Sequence, residues 1–340
     1  MKKLWLIAMA GWAFVALFAS CSAEVDLLDS EAVPVVYALL DSNADTNYVK
    51  ITHTMGPGDA IVNANHPELS NYPGKLDVRL TEFCNGDSIR QIILDTITIH
   101  NKEEGLFYSP AQKLYYTAEP LGKNTSGTQY HYRLTAVLPD RTVTADADLV
   151  GSDGFRIQST VADFSGGNYK AAHELWIIPA VNAGIYDINM SFTFFERRTF
   201  TSDTLPRTIS WHVGTYYQSV LAHHMHNEAL AVPYLPYDLY RELNDFLGDD
   251  TLVQGLRRYI TDDPIQVTVT AGGSNLSEYV YLIELSDNAL SDENIETHIN
   301  GGFGVFSSIA TTTSILRFGG TTVPELTETK WGFKYIGGHL

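Results

Sequence analysis

The sequence predicts a mainly β fold, with an N-terminal immunoglobulin-like β-sandwich and a second β-rich domain holding a short helical insert. Three observations predict it. From Val35 onward, short runs rich in Val, Ile, Thr and Tyr recur between Gly, Asn and Pro turns, the spacing of a sandwich. Gly151-Ser152-Asp153-Gly154 interrupts that pattern and divides the chain into units 34–150 and 151–340. Near residues 236–260 the apolar period changes from two to 3.6, as a helix requires.

In chain order, Val35–Leu40 and Tyr48–His53 flank the polar segment Asp41–Asn47 and read as a hairpin. Leu76–Leu80 alternates strictly, as a half-buried strand does. Ile92–Ile99 is a β-branched strand, followed by Leu114–Thr117, Tyr130–Val137 and Thr142–Ala145, with Asp140-Arg141 as a turn. In the second unit Phe155–Ile157, Glu174–Ile178 and Ile185–Phe195 read as longer strands, and Trp211–Leu221 carries a weaker pattern. Tyr237, Tyr240, Leu243 and Leu247 share one helical face, with Gly248 as the stop. Asp249 or Asp250 opens a second short helix carrying Leu252, Leu256 and Tyr259 and closed by Asp263-Pro264. Strands resume at Ile265–Thr270 and Tyr279–Leu285.

The first residues carry a different signal. Lys2 and Lys3 precede the uncharged run Leu4–Ala19, and Leu17-Phe18-Ala19-Ser20 lead into Cys21. A positive start, an apolar run and small residues at the cut site make a secretory signal peptide over 1–20. The run is shorter than the roughly 20 residues of a spanning helix. Cys21 after those small residues resembles the bacterial lipobox. That resemblance implies cleavage before Cys21, acylation of its thiol, and a lipidated tether over 21–33.

Composition narrows the partners. The 340-residue chain has a formal net charge of −18. Such a surface repels nucleic acid and anionic lipid, so no nucleic-acid partner is expected, and lipid rather than a basic patch holds the membrane. There are two cysteines. With Cys21 acylated, Cys84 has no partner for an intramolecular disulfide, and no structural Cys/His zinc set is available.

Catalytic signatures are missing from the sequence: it has no His-Glu-x-x-His, Gly-x-Ser-x-Gly, Cys-x-x-Cys or Gly-x-x-x-x-Gly-Lys. The expectation is a non-enzymatic protein with no cofactor. A surface hydrolase using paired carboxylates is the enzymatic alternative, because 40 acidic residues offer many pairs. His223-His224-Met225-His226 is the one metal-like cluster. In an extended segment His224 and His226 point to one face and could share an ion, with Glu228 as a third ligand; the alternative is a polar loop. Asp41-x-Asn43-x-Asp45 is similar to the start of a calcium loop, but Thr46 and Thr52 stand where Gly and Glu belong, so a hairpin turn fits better. The 19 tyrosines and 5 tryptophans fall mostly in strands, as packing residues or as sugar-binding platforms. Asp87-Ser88-Ile89, Asp95-Thr96-Ile97, Asp203-Thr204-Leu205 and Asp250-Thr251-Leu252 resemble the O-glycosylation acceptor of exported Bacteroidota proteins.

Three stretches carry a wider resemblance: Pro34–Asp41, Ile51–Pro57 with Tyr72-Pro73, and Thr297–Ser308. Together they resemble a Bacteroidota outer-membrane lipoprotein family catalogued only as a domain of unknown function. In that family the last stretch is an Asn-rich turn, paired glycines and a closing strand. Here His298-Ile299 stands where an Asn-led turn is usual. Gly301, Gly302 and Gly304 read as a structural motif that permits positive φ or close backbone approach, with Phe303, Val305 and Phe306 filling a core. The resemblance implies an outer-membrane binding or accessory module that accompanies a TonB-dependent transporter. A fimbrillin-like adhesin or pilus subunit is the alternative. Its maturation resembles cleavage at a basic residue after the tether, and Ser22–Val49 contains no Lys or Arg.

Overall fold

The structure is a computed structural model that describes residues 32–54, 67–100, 112–125, 127–166, 172–198, 203–226, 228–248, 255–288 and 297–337. The signal peptide, Cys21 and the tether up to residue 31 lie outside the described residues. The fold is mainly β and sandwich-like, with a few short helices.

The first strands are β1 (Pro34–Asp41), β2 (Asn47–His53), β3 (Asp77–Cys84), β4 (Asp87–Ile93), β5 (Asp95–Ile99), β6 (Gln112–Thr117), β7 (Tyr130–Val137) and β8 (Thr142–Asp148). Then come β9 (Arg156–Ile157), β10 (Val161–Ala162), β11 (His173–Ile178), β12 (Ala183–Arg198) and β13 (Thr204–Tyr217). Helix α1 (Gln218–Leu221), β14 (Met225–His226), β15 (Ala229–Tyr234), α2 (Pro236–Leu247), β16 (Leu256–Ile260) and β17 (Ile265–Gly273) follow. The chain closes with α3 (Ser274–Asn288), β18 (Ile299–Asn300), β19 (Phe303–Phe318), α4 (Thr322–Thr327) and β20 (Phe333–Tyr335).

A first core lies between the sheet β18-β8-β7-β3-β4 and the limb β19-β1-β2-β6-β5 of a larger sheet. Alternation builds it: Val36, Ala38 and Leu40 of β1 point inward, while Tyr37 and Leu39 point out. The turn between β1 and β2 is held by its own side chains. Asn47 Oδ1 accepts from the Asp41 amide at 2.7 Å, and Asp41 Oδ1 accepts from the Asn43 amide at 2.8 Å. Asp41-x-Asn43-x-Asp45 is therefore a hairpin turn.

A second core is built on the long strand β12, which pairs with β13, β16 and β17, and on the sheet β14-β15-β11-β9. One strand serves both cores. Residues Phe303–Ile309 of β19 run parallel to β1, and Ile309–Leu316 run antiparallel to β17. Ile299 and Phe306 accordingly sit in the first core with residues from 36 to 149. The closing segment thus contributes to the first core, although it lies beyond the boundary expected at Gly151–Gly154.

Three expected elements differ. Ile92–Ile99 is two strands, because the buried Leu94 donates its amide to Val78 O at 2.9 Å and the chain there passes from one sheet to the other. Leu256 and Tyr259 lie in strand β16, not a second helix, since residues 256–259 pair with β12; the expected start at Asp249 or Asp250 and Leu252 lie outside the described residues. Tyr279–Leu285 is helical, within α3, not a strand. Its apolar run satisfies both periods, and Leu276, Tyr279, Val280 and Ile283 follow i, i+3, i+4, i+7. The sheet edge it would have filled is already taken by β19. Lesser differences are that Trp211–Leu221 is strand only to Tyr217 before α1 begins, and that β9 is two residues long.

Candidate functional site

Helix α2 begins with Pro236 in its first turn, carries Asp238 near its positive end, and stops at Gly248 (φ 59°). Its buried stripe is Leu239, Leu243 and Leu247. The expected stripe placed Tyr237 inward. The structure turns it out instead, 42% exposed, because the core face follows i, i+4, i+8 from Leu239. Tyr237, Tyr240, Arg241, Asn244 and Asp245 then line an open groove of about 760 Å³ against α4 and the segment Glu328–Trp331. That is the size of a small-ligand site.

The floor of the groove is tied down by Glu325. The Gly166 amide donates to both of its carboxylate oxygens, at 3.0 and 2.9 Å, Thr321 Oγ1 donates at 2.5 Å, and the Tyr240 hydroxyl at 3.2 Å. Burial and the Glu325 carboxylate both push the Tyr240 hydroxyl well above its ordinary pKa, so it remains a donor. Beneath, buried Arg258 donates to Glu196 Oε1 at 3.0 Å and to Trp331 O at 3.1 Å. The Trp331 indole packs under the groove, with Lys330 Nζ 6.0 Å from its ring centroid. The arrangement offers an aromatic face beside amide, guanidinium and carboxylate groups. It is suited to holding a polar ligand in one orientation.

A second cleft of about 570 Å³ lies where β7 and β8 meet α3. His131 is clasped there between two carboxylates, Nδ1 2.9 Å from Asp148 and Nε2 3.0 Å from Asp146. Burial opposes the charge on His131, but the two carboxylates outweigh it and its pKa is raised. With both ring nitrogens engaged, His131 has none left to act as a general base. The cleft reads as a structural ion cluster.

Cys21 lies outside the described residues. His224 ends a short 3-10 turn and His226 lies in β14, so the two do not share one extended segment as the metal reading assumed. Their side chains lie outside the described residues. Glu228 takes a left-handed backbone (φ 67°) in the turn before β15. Among the described residues, no group of three or more His, Cys, Asp or Glu could hold a metal ion. Gly301 (φ 83°) and Gly304 (φ 111°) have positive φ. Gly302 is required differently, since a β-carbon there would sit 2.8 Å from Pro34 O. Cys84 is a half-buried free thiol. Of the acceptor-like triplets, Ser88, Thr96 and Thr204 lie in strands, and Thr251 lies outside the described residues.

Neither a family model nor a curated protein matches the chain. The groove residues Tyr237, Asn244 and Glu325 were not singled out from sequence as a site. Only the change of period at α2 marked the region, and Glu325 gave no local signal.

Proposed function

We propose that this chain is a lipid-anchored binding module of the outer membrane, non-enzymatic and of the Bacteroidota lipoprotein type it resembles. Its first unit is of immunoglobulin-like design, and it works beside a TonB-dependent transporter. The leader and Cys21 support the anchor. The groove between α2 and α4 takes a neutral, hydroxyl-rich ligand, a short carbohydrate. The observation that carries this is the exposed Tyr237 ring at the mouth of a groove lined by Asn244, Asp245 and Arg241. A sugar ring stacks its C–H face on an aromatic ring, and its hydroxyls bond to planar amide and charged groups around it.

Calorimetry of the mature protein against neutral oligosaccharides of glucan, mannan and xylan type tests this reading. Binding of one class, weakened at least tenfold in Tyr237→Ala at unchanged melting temperature, is the expected result. Absence of heat across the panel overturns the groove assignment. Intact mass of the membrane-extracted protein tests the anchor separately: Cys21→Ala leaves an unacylated precursor, and a mutant that still partitions with membranes at wild-type levels overturns it.

A further inference from the structure

The outward face of the limb β19-β1-β2-β6 is apolar and aromatic. Tyr37, Leu39, Tyr48 and Phe303 are each 39–43% exposed; Phe303, expected in a core, turns outward beside Val35, while Val305 and Phe306 are buried. The exposed side chains are reinforced by neighbours in register. The Tyr48 and Tyr116 rings pair across β2 and β6 with centroids 6.4 Å apart, and Tyr37 meets Tyr279 of α3 edge-on at 6.3 Å. A groove of about 450 Å³ runs between Tyr37, Leu39 and Tyr48. On a chain of net charge −18, the outward positions of β1 and β2 hold one anion and one cation. Asp41 is engaged in its turn, and Lys50 donates to Gln112 at 3.2 Å.

We propose that this face seats against the lipid–water interface of the membrane that carries the Cys21 anchor, a reading that rests on the acyl anchor proposed above. Two features select that occupant. The first is placement. β1 is the first strand among the described residues, and Pro34 stands thirteen residues from Cys21. That length spans at most about 45 Å. Phe303 pairs with Val35, so the face begins one residue inside the fold. The anchor therefore keeps the face within about 45 Å of the bilayer surface. The second feature is composition. Tyrosines with aliphatic neighbours are the side chains that settle at headgroup level, with the ring in the apolar boundary and the hydroxyl in water. The face lacks the basic cluster that anionic lipid recruits, so its affinity is for neutral headgroups and is weak. Tethering makes weak contact sufficient, because a short linker supplies an effective concentration on the order of millimolar.

Hydroxyl-radical footprinting tests this on the acylated full-length mature protein in phosphatidylethanolamine/phosphatidylcholine vesicles. The comparison is the chain begun at Ser22, which carries neither leader nor acyl group, without lipid. Oxidation of Tyr37, Tyr48 and Phe303 should fall at least threefold in vesicles, while Tyr237, in the groove, keeps its rate. Leu39→Glu/Tyr48→Glu should restore oxidation of Tyr37 with the acyl mass on Cys21 intact. Unchanged rates in protein whose acylation is proven by mass overturn the seating and leave the anchor standing. Absence of the acyl mass overturns the anchor and this proposal with it. Protection that appears without vesicles and rises with protein concentration shows a second copy on the face, and also overturns it.

Discussion

Gly304 lies in register with Val36 on the parallel strand β1, so close that a β-carbon on Gly304 would fall on the Val36 carbonyl oxygen. The backbone at Gly304 also has φ 111°, which side chains rarely adopt. This approach is what lets β19 join the first core before it continues into the second.

Gly304→Ala should lower stability by about 3 kcal/mol or more, since backbone must move and the φ is unfavourable. Gly86→Ala is the control. It has positive φ (93°) but open space around it, and should cost only about 1 kcal/mol. Urea unfolding of both variants makes the comparison. Equal losses would show that conformation alone, not close approach, demands Gly304.

Arg258 and Glu196 form a second test. Arg258 is almost fully buried, and Glu196 holds it on one oxygen while accepting from Arg207 at 2.9 Å on the other. Glu196→Ala strands the buried guanidinium and should cost about 3–5 kcal/mol. Glu196→Ala with Arg258→Met should recover part of that loss by removing the uncompensated charge. Denaturation midpoints of the single and double variants decide it, and a double variant no better than the single one would contradict the pairing.

His131 predicts a pH dependence. Its pKa is raised above the ordinary 6.5, burial opposing but Asp148 and Asp146 prevailing. Arg133 Nε also bonds Asp146 at 2.8 Å, and the Phe83 ring packs edge-on against the imidazole, so these groups share its surroundings. A raised pKa stabilises the folded state fully below the unfolded value near 6.5 and loses that contribution as pH rises through the folded value. The melting-temperature gap between wild type and His131→Gln should therefore be widest in mildly acidic buffer and narrow on the alkaline side. A gap independent of pH would show that the imidazole is not charged by its carboxylates.

Cys84 should react with a thiol reagent in denaturant without prior reduction, one equivalent per acylated chain. Labelling that appears only after reductant would reveal an intermolecular disulfide.

Local patterns settled what the sequence alone could determine. The β1–β2 hairpin followed from two β-rich runs flanking a polar turn, and the side chains of that turn bond its own backbone amides. Helix α2 followed from a 3.6-residue period between Pro236 and Gly248. The demand for glycine at 301, 302 and 304 was legible too, though not which of them faces Pro34 and which Val36. Tertiary structure decided the rest. An apolar run such as Tyr279–Ile283 fits a strand or a helix, and the choice depends on whether a sheet edge is open beside it. Leu94 changes sheets because its amide finds Val78, which no window around it records. Glu325 meets Gly166 across most of the second unit, so the floor of the groove had no signal in either segment. Periodicity reports which face a residue turns toward the core. The partner that receives it is set by pairing between distant strands, and the chain's order does not encode that at short range.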